Sequence, residues 1–270
     1  MPDIRYAQNE NVDRGDLRMQ VIERGTSTPI DDAKISISYS GDPDSTVEEV
    51  NTDASGMSET LTLDTPPLEL SMQPSEVQPY AEYTIQVTAK GYRPINISGI
   101  EVFSGQLSLQ EIRMDAEEAA ESMTDNIVIP AHTLFAEYPP KIAEAEIKPV
   151  TETGEIVLSR VVIPEYVIVH DGAPSDPTAR DYYVRYRDYI KNVASSEIYS
   201  TWPDTTIRAN VLAIMSFTLN RVYTEWYRNK GYSFTITSST AYDQKFMYGR
   251  NIYQSISDVV DEMFQNYLSR

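Results

Sequence analysis

The chain has 270 residues, 41% apolar and 23% charged, with a net charge of −19, no cysteine and two histidines. That length accommodates two ordinary domains, and the composition is globular rather than disordered. Disulfides and thiol chemistry are excluded, His132 and His170 are too few for a multi-histidine metal site, and so acidic a chain offers no electrostatic footprint for nucleic acid or anionic lipid. The charge is uneven: residues 1–130 hold 8 Lys+Arg against 24 Asp+Glu, and residues 131–270 hold 14 against 17. The acidic half reads as a solubilising face, with adhesion through bound cations as the alternative. Met1–Val12 has neither a basic nor an apolar region of a signal peptide, and no run of about 18 apolar residues occurs, so no membrane insertion is expected.

After a tail at 1–14, residues 15–114 alternate apolar and polar positions in seven segments, Leu17–Glu23, Ala33–Tyr39, Glu48–Thr52, Thr60–Leu63, Tyr83–Ala89, Ile95–Val102 and Leu107–Met114. Glycines such as Gly25, Gly56 and Gly91 punctuate them. Seven short strands with turns between them predict a β-sandwich. Three ordered landmarks add a resemblance: Thr28–Ile35 (TPIDDAKI), the Thr52–Gly56 turn (TDASG), and Tyr83 through Gly91-Tyr92. Together they resemble carboxypeptidase regulatory-like (transthyretin-like) domains, which are accessory modules without chemistry of their own.

Asp115–Met123 is an acidic stretch that reads as a helix cap or spacer, and residues 130–177 hold 7 of the 16 prolines. Residues 115–160 are therefore expected to be a structured, proline-rich connector, and the proline-dense 130–177 stretch still allows short strands at Ile156–Val162 and Tyr166–Val169. From about 161 to 270 the periodicity becomes helical. Asp188–Glu197 carries Ile190, Val193 and Ala194; Thr205–Asn229 carries Ile207, Val211, Ile214, Met215, Leu219, Val222 and Trp226, between Pro203-Asp204 and Gly231; Asn251–Leu268 repeats the pattern. Tyr232–Tyr248 reads as a loop or short hairpin. The predicted fold class is thus a multidomain α+β protein, an N-terminal all-β sandwich followed by a mainly helical domain.

Glu197 lies seven residues after Ile190 and four after Val193, which puts it on the apolar stripe at the helix C-terminus. Desolvation and the negative end of the helix dipole both disfavour its charged form and predict a raised pKa. A carboxyl protonated near neutral pH can donate to a glycosidic oxygen. The plainer alternative is a glutamate that caps the turn or pairs with Arg208.

The Tyr189–Ile198 stretch (YIKNVASSEI) resembles a motif of the stage II sporulation protein D and amidase-enhancer family. Trp202-Pro203, Ile207–Phe217, Asp243–Phe246 with Tyr248-Gly249, and the closing helix with Ile256, Val259, Val260 and Met263 follow in that family's order. Over about residues 186–266 the resemblance implies a peptidoglycan lytic transglycosylase-like activity with Glu197 as its single acid/base. It implies glycan contacts from Gln244, Tyr248, Ser196 and Trp202, and peptidoglycan strands, with other wall or spore proteins, as partners. A bacterial spore- or cell-wall-associated location follows from the same resemblance; without a leader the chain would otherwise be cytoplasmic.

The chain departs from the family at Asn210, Met215 and Ser216, where family members carry Gln, Arg and Thr. Where some members bind zinc it has Ser238-Ser239-Thr240-Ala241, so no metal or cofactor is expected. The family continues into a Ser/Gly-rich cleft segment, so this chain is expected to represent an amino-terminal part, weak or inactive alone. A non-catalytic glycan-binding, structural or assembly protein is the competing expectation. Twelve of 19 tyrosines and both tryptophans lie between 182 and 270, suited either to sugar faces or to helix packing.

Overall fold

The computed structural model describes residues 12–117, 124–143 and 158–268. It is an α+β protein whose chain divides into two compact units, one of residues 1–131, 199–202 and 248–255, the other of 132–198, 203–247 and 256–270. Two short stretches that follow the helical pattern in sequence, 199–202 and 248–255, therefore pack with the first unit.

The first unit holds two sheets. Strands β1 (Asp13–Glu23), β2 (Lys34–Tyr39), β3 (Asp42–Asn51) and β4 (Leu61–Thr65) are followed by a single helical turn, α1 (Glu69–Met72). Then come β5 (Ala81–Thr88), β6 (Ile95–Val102), β7 (Leu107–Met114) and β8 (Asp125–Val128). One sheet has the order β3-β2-β5-β6-β8; the other is β4-β1-β7, extended by the two-residue strand β12 (Ile252–Tyr253). The alternation in sequence has its expected effect: Leu17, Met19 and Val21 of β1 and Ile35 and Ile37 of β2 are fully buried. The Thr52–Gly56 turn is closed by Asp53, whose Oδ1 accepts from Ser55 N–H at 2.9 Å and Met57 N–H at 3.0 Å. The Ser55 hydroxyl, which donates to the same oxygen at 2.6 Å, and then those backbone bonds hold its carboxyl below the ordinary range. Gly56 is required there, with φ of 73° and the carbonyl of Val21 within 2.4 Å of where a Cβ would sit.

Strand β12 pairs antiparallel with β7, Ile252 opposite Leu109. It is fastened by a fully buried ion pair between Arg250 and Glu101. Tyr253 Oη donates to the same carboxylate at 3.0 Å, and Asn251 Nδ2 donates to the Glu101 carbonyl at 2.8 Å. The sequence predicts a helix from Asn251; the strand wins at 252–253 because β7 offers unpaired backbone groups and Glu101 a buried charge to be matched.

The second unit contains a small sheet of β10 (Asp181–Arg185), β9 (Tyr166–His170) and β11 (Ile236–Thr237), in that order. Its helices are α2 (Tyr186–Glu197), α3 (Asp204–Tyr223) and, from residue 256 on, α4 (Gln254–Met263). Helix α3 is shorter than the predicted Thr205–Asn229. It ends at Tyr223 with Thr224 as its C-cap, the chain turns at Glu225 with φ of 46°, and a 3-10 turn at Arg228–Lys230 stops at Gly231. Lys191 reaches Asp261 at 2.8 Å and Arg208 reaches Glu262 at 2.6 Å, tying α4 to α2 and α3. The expected strand at Ile156–Val162 is absent from its described part, 158–162, and residues 118–123 of the acidic stretch lie outside the described residues. Strands β8 and β10 lack a sequence-level expectation; β8 is held by parallel pairing with β6.

Candidate acid/base site in the second unit

Helix α2 starts two residues earlier than its periodicity predicts and buries Tyr189, Ile190, Val193 and Ala194 on one stripe. Glu197 follows at the last position of that helix, partly accessible while its neighbours Ser196 and Ile198 are buried. Its carboxyl Oε1 accepts the backbone N–H of Lys245 at 2.7 Å. Loss of water pushes the carboxyl up to about 7; the Lys245 N–H and the nearby positive charge of Lys141 only partly oppose that. Arg208 plays no part, being engaged by Asp204 at 2.7 Å and by Glu262.

The segment Asp243–Met247 lies against α2 and α3 and is fixed residue by residue. Asp243 is buried and accepts from Arg221 Nε at 2.7 Å, Tyr227 Oη at 2.6 Å, and the Thr237 N–H and hydroxyl at 2.9 and 2.7 Å. Gln244 Oε1 accepts the Thr218 hydroxyl at 2.8 Å and Tyr189 Oη at 3.3 Å, while its Nε2 donates to the Ile214 carbonyl at 3.1 Å. Met247 exchanges two hydrogen bonds with the side chain of Asn192, N–H to Oδ1 at 2.9 Å and Nδ2 to carbonyl at 2.8 Å.

The sequence-based site residues therefore separate. Gln244 is brought beside Tyr189 of α2, but it is buried and committed to interior partners rather than lining a groove. Ser196 is fully buried and returns its hydroxyl to the Asn192 carbonyl at 2.9 Å, the ordinary use of a helical serine in an apolar setting. Trp202 and Tyr248 belong to the first unit, where the Trp202 indole N–H donates to Ser71 O at 3.0 Å and Tyr248 Oη accepts from Arg24 at 2.6 Å. Among the five, Glu197 alone couples accessibility with a shifted carboxyl in the second unit.

Residues that sequence reading missed take their place. Lys141, from the stretch expected to be a connector, donates to the Asp243 carbonyl at 3.1 Å and lies 4.4 Å above the Phe217 ring. Thr133 holds the Ser196 carbonyl with both its N–H and its hydroxyl, at 3.2 and 2.7 Å. Lys245 is half-buried, its amine pushed down by loss of water, with Tyr138 5.5 Å from its nitrogen. Among the described residues no cluster of His, Asp and Glu is arranged to hold a metal, and no helix is long and apolar enough to cross a membrane.

A two-sheet β unit and a mainly helical unit make this an α+β protein. No protein-family model and no curated protein matches the chain. Similar solved structures include the Bacillus anthracis TIE protein, 15% identical, covering 42% of this chain and 20% of that one, with a TM-score of 0.27. Others are Klebsiella pneumoniae 5-hydroxyisourate hydrolase (17% identical, 38% and 92% covered, TM-score 0.26) and Acinetobacter radioresistens catechol 1,2-dioxygenase (13%, 43% and 58%, TM-score 0.26).

Proposed function

We propose that the second unit processes peptidoglycan glycan strands in the manner of a lytic transglycosylase, with Glu197 as the acid/base. The observation that carries this reading is a partly accessible glutamate whose carboxyl is pushed up to about 7, at the position the family resemblance marks. Neutral Glu197 gives its proton to the glycosidic oxygen as that bond breaks. The carboxylate so formed takes the proton of a hydroxyl on the same sugar while its oxygen closes on the anomeric carbon, which leaves an anhydro end. One carboxyl serves both steps, and no paired carboxylate is needed. In this reading the first unit, transthyretin-like in its three landmarks, is an accessory module without chemistry of its own.

The competing reading, a glycan-binding or assembly module without cleavage, is favoured by the use of Glu197 Oε1 as a fastener for Lys245 and by the inward turn of Gln244 and Ser196. Denuded glycan strands incubated with the protein and with Glu197→Gln distinguish the two. Anhydro ends released by the wild type and not by the variant support catalysis. Equal release from both removes Glu197 from the mechanism, and co-sedimentation with strands without release supports the binding module.

A further inference from the structure

Helix α2 and the segment 245–247 meet at two anchors, Glu197 with Lys245 and Asn192 with Met247. The chain passes from Lys245 beside Glu197 to Met247 beside Asn192, five residues back on α2, so a slip at either anchor displaces the other. Asn192 is buried, and its amide satisfies both backbone groups of Met247, as a neighbouring strand would.

We propose that Asn192 is a positioning residue for Glu197: by closing both backbone bonds of Met247 it fixes the register at which Lys245 presents its N–H to Oε1. This rests on the reading of Glu197 as the acid. In a neutral carboxyl one oxygen is a carbonyl acceptor and the other carries the proton. An N–H fixed at Oε1 makes Oε1 the carbonyl oxygen and leaves the transferable proton on Oε2. Asn192 thus governs which oxygen of Glu197 donates, without touching substrate. The charged or titratable neighbours of that carboxyl are Lys141, from the 132–142 segment, and Tyr189, two turns back on α2. Neither supplies the bond to Oε1.

The test is a carbon-detected NMR titration of the Glu197 carboxyl in the full chain, which needs no turnover. In Asn192→Ser, whose side chain is too short to reach both groups of Met247, the midpoint rises by about one pH unit as the donor at Oε1 loosens. Amide exchange at Lys245 and Met247 speeds up while Val167 and Val169 stay protected. An unchanged midpoint with Met247 exchanging freely overturns the proposal. A second measurement on the unaltered protein covers a variant that fails to fold: the Lys245 amide proton shift must titrate together with the Glu197 carboxyl, and a Lys245 amide insensitive to pH between 5 and 9 overturns it equally. The shifted midpoint without anhydro-end release removes the catalytic reading but keeps the linkage. An unshifted midpoint removes the linkage whatever the glycan assay gives.

Discussion

Replacing Glu197 by Gln has a pH-dependent effect on stability that can be worked out from its surroundings. The folded carboxyl titrates at about 7 and an ordinary one at 4.5. Because the folded value is the higher, the wild type has its full stability from this group below pH 4.5 and loses it as the pH rises through 7. The full loss is about 3 kcal/mol, taken at one pH unit per 1.36 kcal/mol. Glutamine keeps an oxygen for the Lys245 N–H and never ionises, so the variant escapes that loss. Urea unfolding followed by helical circular dichroism, which reports chiefly on the second unit, should show the two proteins within about 0.5 kcal/mol at pH 4. At pH 8.5 the variant should be the more stable, by up to about 3 kcal/mol. The same difference at both pH values would mean that the carboxyl is not desolvated in the fold, and the acid/base assignment would lose its physical basis.

Other substitutions test the two buried ion pairs and one turn. Asp243→Ala strips Arg221 of its carboxylate inside the second unit and should cost about 3–5 kcal/mol by urea unfolding. Arg250→Met should cost a similar ~3–5 kcal/mol by leaving Glu101 uncompensated. The double variant Arg250→Met/Glu101→Leu should recover most of that in thermal unfolding, and failure to recover would mean the pair does more than neutralise itself. Gly56→Ala should destabilise the first unit by about 1–3 kcal/mol, because a Cβ meets the Val21 carbonyl at a positive φ.

Much of this protein was legible one element at a time. The alternation in Lys34–Tyr39, the Asp53 turn and the apolar stripe of α2 are local patterns with periods of two to seven residues, and local sterics and burial enforce them. The same local logic put Glu197 at the end of a buried stripe and anticipated its raised pKa, although loss of water supplies the shift in the structure.

What only the tertiary structure decided is who partners whom across long stretches of chain. Arg250 and Glu101 stand 149 positions apart, and β12 became a strand because β7 had backbone groups to pair, a choice that the β propensity of Ile and Tyr favours but does not make alone. Lys141 entered the candidate site from a stretch that reads as a linker, where it bonds the Asp243 carbonyl and lies over the Phe217 ring. Gln244 turned inward because Thr218, Tyr189 and Ile214 together satisfy its amide. Buried polar groups must be matched wherever their partners lie in the sequence. That requirement leaves no periodic trace, so the chain order shows the elements but not the network that joins them.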